Sequence, residues 1–250
     1  MTEILRTENL AKYFGEMAAV HQVNLTLQEG ILTSIIGPNG AGKTTLINLL
    51  SGYLIPNAGR ILFRGAEITK MPPHKRVKMG ISRSFQIMNI FPRLTVFQNI
   101  LLPVLSRLNR NSRPFSRLRS QKEAVDEAEK ILGEVRLGEE KEVPAGELSH
   151  GDQRFLELGI AVATQPQLCF LDEPSSGMNP MERVKVLELV KKLSAERKTT
   201  FIIVEHDMDI VFSLSDWIVV MNRGEILAEG RPDEIRGNQE VRDIYLGEEI

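Results

Sequence analysis

Four short apolar runs punctuate the chain: "ILTSIIG" at 31–37, "QLCFLDE" at 167–173, "TTFIIVEH" at 199–206 and "WIVVMN" at 217–222. Near-continuous apolar, β-branched runs suit strands buried on both faces, as in a parallel sheet covered by helices. The segments between them have helical character, so the pattern predicts an α/β architecture. Between 181 and 198, Val186, Leu189, Val190 and Leu193 keep a helical period among charged residues. That is the pattern of a crossover helix lying on such a sheet.

The first sixty or so residues follow a different rhythm. "ILRTENLAKYF", "NLTLQ" and "GRILFRG" are shorter, more alternating and separated by Gly, Pro and Asn, which predicts an antiparallel β portion. From about 95 to 146 strand signals fade, and "QKEAVDEAEKILGEV" (121–135) is a clear amphipathic helix. The expectation is a single domain over 1–250. Its α/β core with the β portion covers about 1–94 and 147–250, and a mainly helical subdomain is inserted at about 95–146. No repeats or low-complexity tracts appear.

Composition bounds the function. A chain of 250 residues with 42% hydrophobic residues is long enough for a sizeable core. Its net charge of -2 gives no global attraction to nucleic acid, so any basic partner surface must be local. Cys169 is the one cysteine, which excludes an internal disulfide framework and fits a reducing compartment. Its apolar neighbours predict a packed thiol. No apolar stretch approaches the roughly 18 residues of a membrane span, and "MTEILRTENLAKYF" lacks a basic start followed by a long apolar run. A cytosolic chain recruited to any membrane by a partner is expected. Arg107, Arg110, Arg113, Arg117, Arg119 and Lys122 follow one another with no acid between. They read either as a solvated face or as a patch for anionic lipid headgroups.

The chemistry begins at "GPNGAGKTT" (37–45), which matches G-x-x-x-x-G-K-[ST], follows a predicted strand and opens a helix. Glycines let successive backbone N–H groups converge on phosphate oxygens, helped by the positive helix end. Lys43 is placed for the β- and γ-phosphates and the Thr44 hydroxyl for Mg²⁺. Gly37, Pro38, Asn39, Gly40, Ala41, Gly42, Lys43, Thr44 and Thr45 are therefore the candidate nucleotide-binding residues. "LCFLDEP" ends a second apolar strand in two acids: Asp172 suits Mg²⁺ held through its water shell, and Glu173 suits a general base for the attacking water. "ELSHGDQ" holds Ser149, His150 and Asp152, the parts of a hydrolytic triad. Residues so close in sequence do not easily reach that geometry, and the strained elbow motif needs glycine where Glu147 stands.

In these motifs and their order the chain resembles the ATP-binding subunits of ABC transporters over nearly its whole length. The resemblance implies that Gln86 in "SRSFQ" is the Q-loop glutamine, a catalytic and metal-site residue. It makes "LSHGDQ" (148–153) the signature and His206 in "IIVEHD" the histidine that orients the γ-phosphate and water. Ser149 and Gly151 then bind the γ-phosphate held by a second subunit, and Phe14 in "KYFG" stacks on adenine, with Tyr13 the alternative. The chain departs from the family pattern at His150, Asp152 and Asn179; "NP" before a helix also reads as a plain cap and first turn.

Further implications of the resemblance are ATP and Mg²⁺ as cofactors and a homodimer or a heterodimer with a second ABC ATPase subunit. Transmembrane permease subunits, and through them a substrate-binding protein, complete the partners; nucleic acid is not expected. The implied location is cytoplasmic, peripheral on the cytoplasmic face of the inner membrane. The long segment before the signature, "EPSSGMNP" and the ending "AEGRPDEIRGNQEVRDIYLGEE" are similar to the branched-chain amino acid importer ATPases. Lipopolysaccharide-export ATPases have a similar ending. A non-transport ABC clamp is the competing class, although such proteins usually carry coiled coils, zinc sites or linked cassettes; a small-molecule kinase lacks an acceptor site here. Substrate choice resides in subunits that are separate from this chain.

Overall fold

Two sheets share the β structure of the computed structural model, which describes residues 2–84, 90–108, 121–197 and 199–246. The first is antiparallel. The long strand β1 (Glu3–Phe14) pairs with β2 (Met17–Val23), β3 (Thr26–Gln28) and β5 (Ala58–Phe63), and β6 (Ala66–Glu67) pairs with β5. This is the β portion expected from the alternating N-terminal pattern.

The second sheet holds all four apolar runs. Its order is β11 (Glu225–Gly230), β10 (Trp217–Asn222), β4 (Thr33–Ile36), β9 (Thr200–Val204), β8 (Leu168–Asp172) and β7 (Ile81–Ser84). From β10 to β7 every pair is parallel, and β11 closes the far edge antiparallel to β10. Strands β4, β8 and β9 are buried at every residue, as unbroken apolar runs require when both faces are covered. Two strands of this sheet escape the sequence pattern. "ISRS" of β7 has three polar residues in four, and β11 has little alternation, so neither edge strand stands out.

Helix α1 (Lys43–Ser51) follows β4 directly. Its C-terminal end is fastened by Arg76 of α2 (Pro73–Lys78), which is 1% exposed. The Arg76 guanidinium donates to the carbonyls of Leu49, Leu50, Ile68, Thr69 and Met71 at 2.7–3.1 Å. Burial pulls its pKa down to about 10, so it remains a cation at neutral pH, the favourable sign at a helix C-terminus.

Helices α3 (Val96–Arg107), α4 (Lys122–Glu134) and α5 (His150–Ala163) pack on one another. Thr95 caps α3 in a reciprocal box with Gln98. A Cβ at Gly159 of α5 would stand 2.7 Å from the Ile100 side chain, so glycine is what lets α3 and α5 approach this closely. Residues of these helices share one apolar cluster with β8, β9 and α6 (Pro180–Arg197), the expected crossover helix. Cys169 is fully buried in that cluster and its thiol is pushed up to about 12, mainly by desolvation, in accord with a packed core thiol. A smaller cluster joins β10 to α7 (Met208–Leu214), α8 (Pro232–Gly237) and α9 (Gln239–Leu246).

Candidate nucleotide site

Adjacency of β4, β9 and β8 in a parallel sheet brings their C-terminal ends side by side, where ligands bind in open α/β sheets. Gly37, His206 and Asp172, up to 169 positions apart in sequence, thus meet at one sheet edge. The phosphate loop after β4 is tightly enclosed. A Cβ at Gly37 would lie 2.1 Å from the Met221 carbonyl oxygen, and one at Gly42, where φ is 100°, would lie 2.2 Å from that of Ala19. Both glycines are demanded by backbone on the far side. Gly224 N–H donates to Ala41 and His21 N–H to Gly224, which straps the loop between β2 and the β10–β11 turn.

Gly42 occupies the N-cap of α1 and offers no side-chain acceptor, so the first N–H groups of the helix are left for an anion. Lys43 is buried. Its Nζ donates to the carbonyls of Gly37 at 2.6 Å and Pro38 at 3.0 Å, folded across the cradle it would serve. Asn39, Gly40 and Thr44 are exposed on the loop, while Thr45 is half-buried.

Asp172 ends β8 at 1% exposure. Its Oδ2 accepts a hydrogen bond from Arg83 Nη2 at 2.9 Å, whereas its Oδ1 has no hydrogen-bond partner among the described residues. Glu173 follows at φ 49°, with its N–H donating to the Val204 carbonyl. This bend sets its carboxylate Oε1 2.7 Å from His206 Nε2. Behind them lies Glu205, 4% exposed. It accepts from Ser175 Oγ at 2.7 Å, from Ser175 N–H and from His206 N–H. Desolvation raises its carboxyl pKa, opposed by the hydrogen bonds from Ser175 and His206.

The remaining expected residues are placed as follows. Phe14 and Tyr13 end β1, 47% and 37% exposed. The Tyr13 hydroxyl pairs with His21 Nδ1 and its N–H with Asn57, while Phe14 carries Lys12 Nζ 5.5 Å from its ring centre. Ser149 caps α5: Asp152 N–H donates to its Oγ, which itself donates to Asp152 Oδ2 at 2.7 Å. Gly151 faces the Glu182 carboxylate, 3.1 Å from a Cβ built there. Those contacts tie Ser149 and Gly151 to Asp152 and Glu182 rather than to the phosphate loop. Asn179 and Glu182 form a reciprocal cap at the start of α6, the plain cap-and-first-turn role. Gln86 lies outside the described residues, as do Arg110, Arg113, Arg117 and Arg119. Arg107 pairs with Glu127.

Two residues at the site went unread in the sequence. Arg83 sat in an unrecognised edge strand; Glu205 is an acid beside His206, a signal visible in "VEHD" only once that histidine has a role.

The residues fit a nucleotide and its cation. The loop is a cradle that side chains would fill, and Asp172 Oδ1 is an orphaned buried oxygen. Thr44 and Asp172 offer hard oxygen ligands, which suit Mg²⁺. Among the described residues no cluster of three or more His, Cys, Asp or Glu could hold a metal ion.

Residues 20–176 match the ABC transporter family, and the chain belongs to it: this is an ATP-binding cassette, an ABC-type ATPase. Its C-terminal residues 225–250 match the branched-chain amino acid ATP-binding cassette transporter family. The chain is 42% identical to the high-affinity branched-chain amino acid transport ATP-binding protein BraF of Pseudomonas aeruginosa, covering 98% of each. It is 40% identical, at the same coverage, to LivG of Escherichia coli, which bears the same description. Among solved structures, the ADP conformation of MJ1267, an ATP-binding cassette of an ABC transporter, superposes with a TM-score of 0.85 at 37% identity. That match covers 99% of this chain and all of that one. A dimeric, post-hydrolysis state of the cassette MJ0796 bound to ADP and Pi gives 0.78 at 25%, covering 92% and 99%. No helix of the described residues is long and apolar enough to cross a membrane.

Proposed function

We propose that this chain powers uptake of branched-chain amino acids by hydrolysing ATP between two cassettes docked beneath separate permease subunits. The carrying observation is the Glu173–His206 pair, which follows β8 and β9 beside the strand from which the phosphate loop leaves. The full-length similarity to BraF and LivG supports the cargo.

Nucleotide enters against Phe14, the more exposed of the two rings at 47%, where it would share the ring with Lys12, while Tyr13 is tied to His21. Lys43 exchanges the Gly37 and Pro38 carbonyls for phosphate oxygens. Thr44, Asp172 and Gln86 would hold Mg²⁺, which supplies charge neutralisation of the phosphates when bound. His206 donates through Nε2–H to Glu173 and holds the carboxylate in place to take the proton of an attacking water. Ser149 and Gly151 of a second cassette complete the anion site, so each site spans two subunits. The helical segment at about 95–146, together with Gln86, forms the surface that receives a permease. The working place that goes with this docking is the cytoplasmic face of the inner membrane.

The test is reconstitution with the two permeases and the binding protein in vesicles. Leucine-loaded binding protein should raise ATP turnover and drive leucine uptake. An assembled complex whose ATPase ignores branched-chain amino acids but responds to lipopolysaccharide would overturn the cargo.

A further inference from the structure

We infer that Arg83 is the positioning residue of the metal carboxylate: it holds Asp172 by one oxygen and leaves the other, Oδ1, to serve the cation of the bound nucleotide. The inference rests on the proposed role of Asp172 and adds a residue to it.

Arg83 lies on the edge strand β7, which pairs in parallel with β8. Its side chain is 7% exposed and Asp172 is 1% exposed. A carboxylate this deep requires a counter-charge with good geometry. The guanidinium provides it at 2.9 Å while its other terminal nitrogen donates to Asn48 Oδ1 at 2.5 Å and Ser51 Oγ at 3.3 Å. Both of those acceptors belong to α1, the helix that begins at the phosphate loop. The Tyr53 ring lies 5.7 Å from the guanidinium carbon. Fixed on several sides, the rigid fork of Arg83 fixes Asp172 in turn. Lysine, a single point charge, would not span α1 and β8 together.

With Oδ2 engaged, Oδ1 is the oxygen left for coordination, and it has no hydrogen-bond partner among the described residues. Ligand carboxylates are commonly oriented by such outer partners, whose loss costs about 10–100-fold in metal affinity. Arg83 also stands three positions before Gln86 in the sequence.

The experiment titrates Mn²⁺ by electron paramagnetic resonance into the full chain saturated with a non-hydrolysable ATP analogue. Wild type, Arg83→Gln, Arg83→Lys and Asp172→Asn are compared, and metal-free nucleotide affinity and thermal unfolding are measured alongside. Both Arg83 variants should bind Mn²⁺ about tenfold or more weakly while metal-free nucleotide affinity is unchanged. Arg83→Lys keeps the charge beside Asp172, so it guards against a folding failure of Arg83→Gln. Wild-type or tighter Mn²⁺ binding in a folded Arg83 variant overturns the inference, because Arg83 would then be a plain ion pair or a competitor of the metal. If Asp172→Asn itself binds Mn²⁺ like wild type, the proposed role of Asp172 fails instead.

Discussion

Glu173→Gln isolates proton abstraction from everything else that Glu173 does. The amide keeps the size of the side chain and an oxygen that still accepts from His206 Nε2, now 2.7 Å from Glu173 Oε1. The backbone bend is held separately, by the bond from Glu173 N–H to Val204. What disappears is the ability to take a proton. A positioned base is worth about 10²–10⁴ in rate, or roughly 2.7–5.5 kcal/mol at 1.36 kcal/mol per decade. The fold should scarcely notice, because the amide keeps the hydrogen bond to His206, a side chain 45% exposed. Phosphate release at saturating Mg-ATP should therefore fall by at least two decades, with nucleotide affinity and Tm near wild type and an ATP-bound dimer accumulating in gel filtration. Turnover within a factor of a few of wild type would refute the assignment of Glu173 as base.

Two further outcomes are expected. Lys43→Ala and Ser149→Arg should each be inactive, yet a mixture should regain activity, since one site of the heterodimer carries both lesions and the other neither; no gain despite heterodimers shown by cross-linking would contradict composite sites. Arg76→Leu removes the donor from five buried carbonyls and should cost about 3–5 kcal/mol, as for a broken buried charge network, lowering Tm by roughly 10 °C at ~2–4 °C per kcal/mol; a calorimetric Tm within a degree or two of wild type would show that water replaces the guanidinium.

The parallel sheet was legible because β4, β8 and β9 are buried at every residue and their few polar members stand at the strand ends, Thr33, Ser34 and Thr200 at the starts and Asp172 at a finish. The phosphate loop was legible because Gly37 and Gly42 are needed for reasons of backbone contact that leave a fixed spacing. The Glu173–His206 contact is different in kind. Those residues stand 33 positions apart, and only the adjacency of β8 and β9 makes them neighbours; the resemblance supplied a role for His206 but not its contact with Glu173. Arg83 was illegible for a physical reason. Its charge is neutralised by Asp172, 89 positions away, so nothing in the sequence near it marks a buried charged residue on a four-residue strand.

The departures at the signature give the free chain a definite electrostatic character. Asp152 stands where the family has glutamine, and Ser149 Oγ already donates to its carboxylate at 2.7 Å. Glu182, fixed by the α6 cap, brings a second carboxylate against Gly151. Two unit charges 4 Å apart interact by about 4 kcal/mol at an effective dielectric near 20, so an approaching γ-phosphate meets repulsion where a helix N-terminus alone would attract it. Binding then requires Ser149 to give up Asp152 and both carboxylates to turn aside, which only the full set of contacts from an opposing Lys43 loop and its cation can offset. On the composite-site reading, the signature of this chain is closed to stray phosphate and opens to a nucleotide already held by the partner. On that reading the carboxylates of Asp152 and Glu182 set the threshold for closure, and Asn179 enters only through its cap on Glu182.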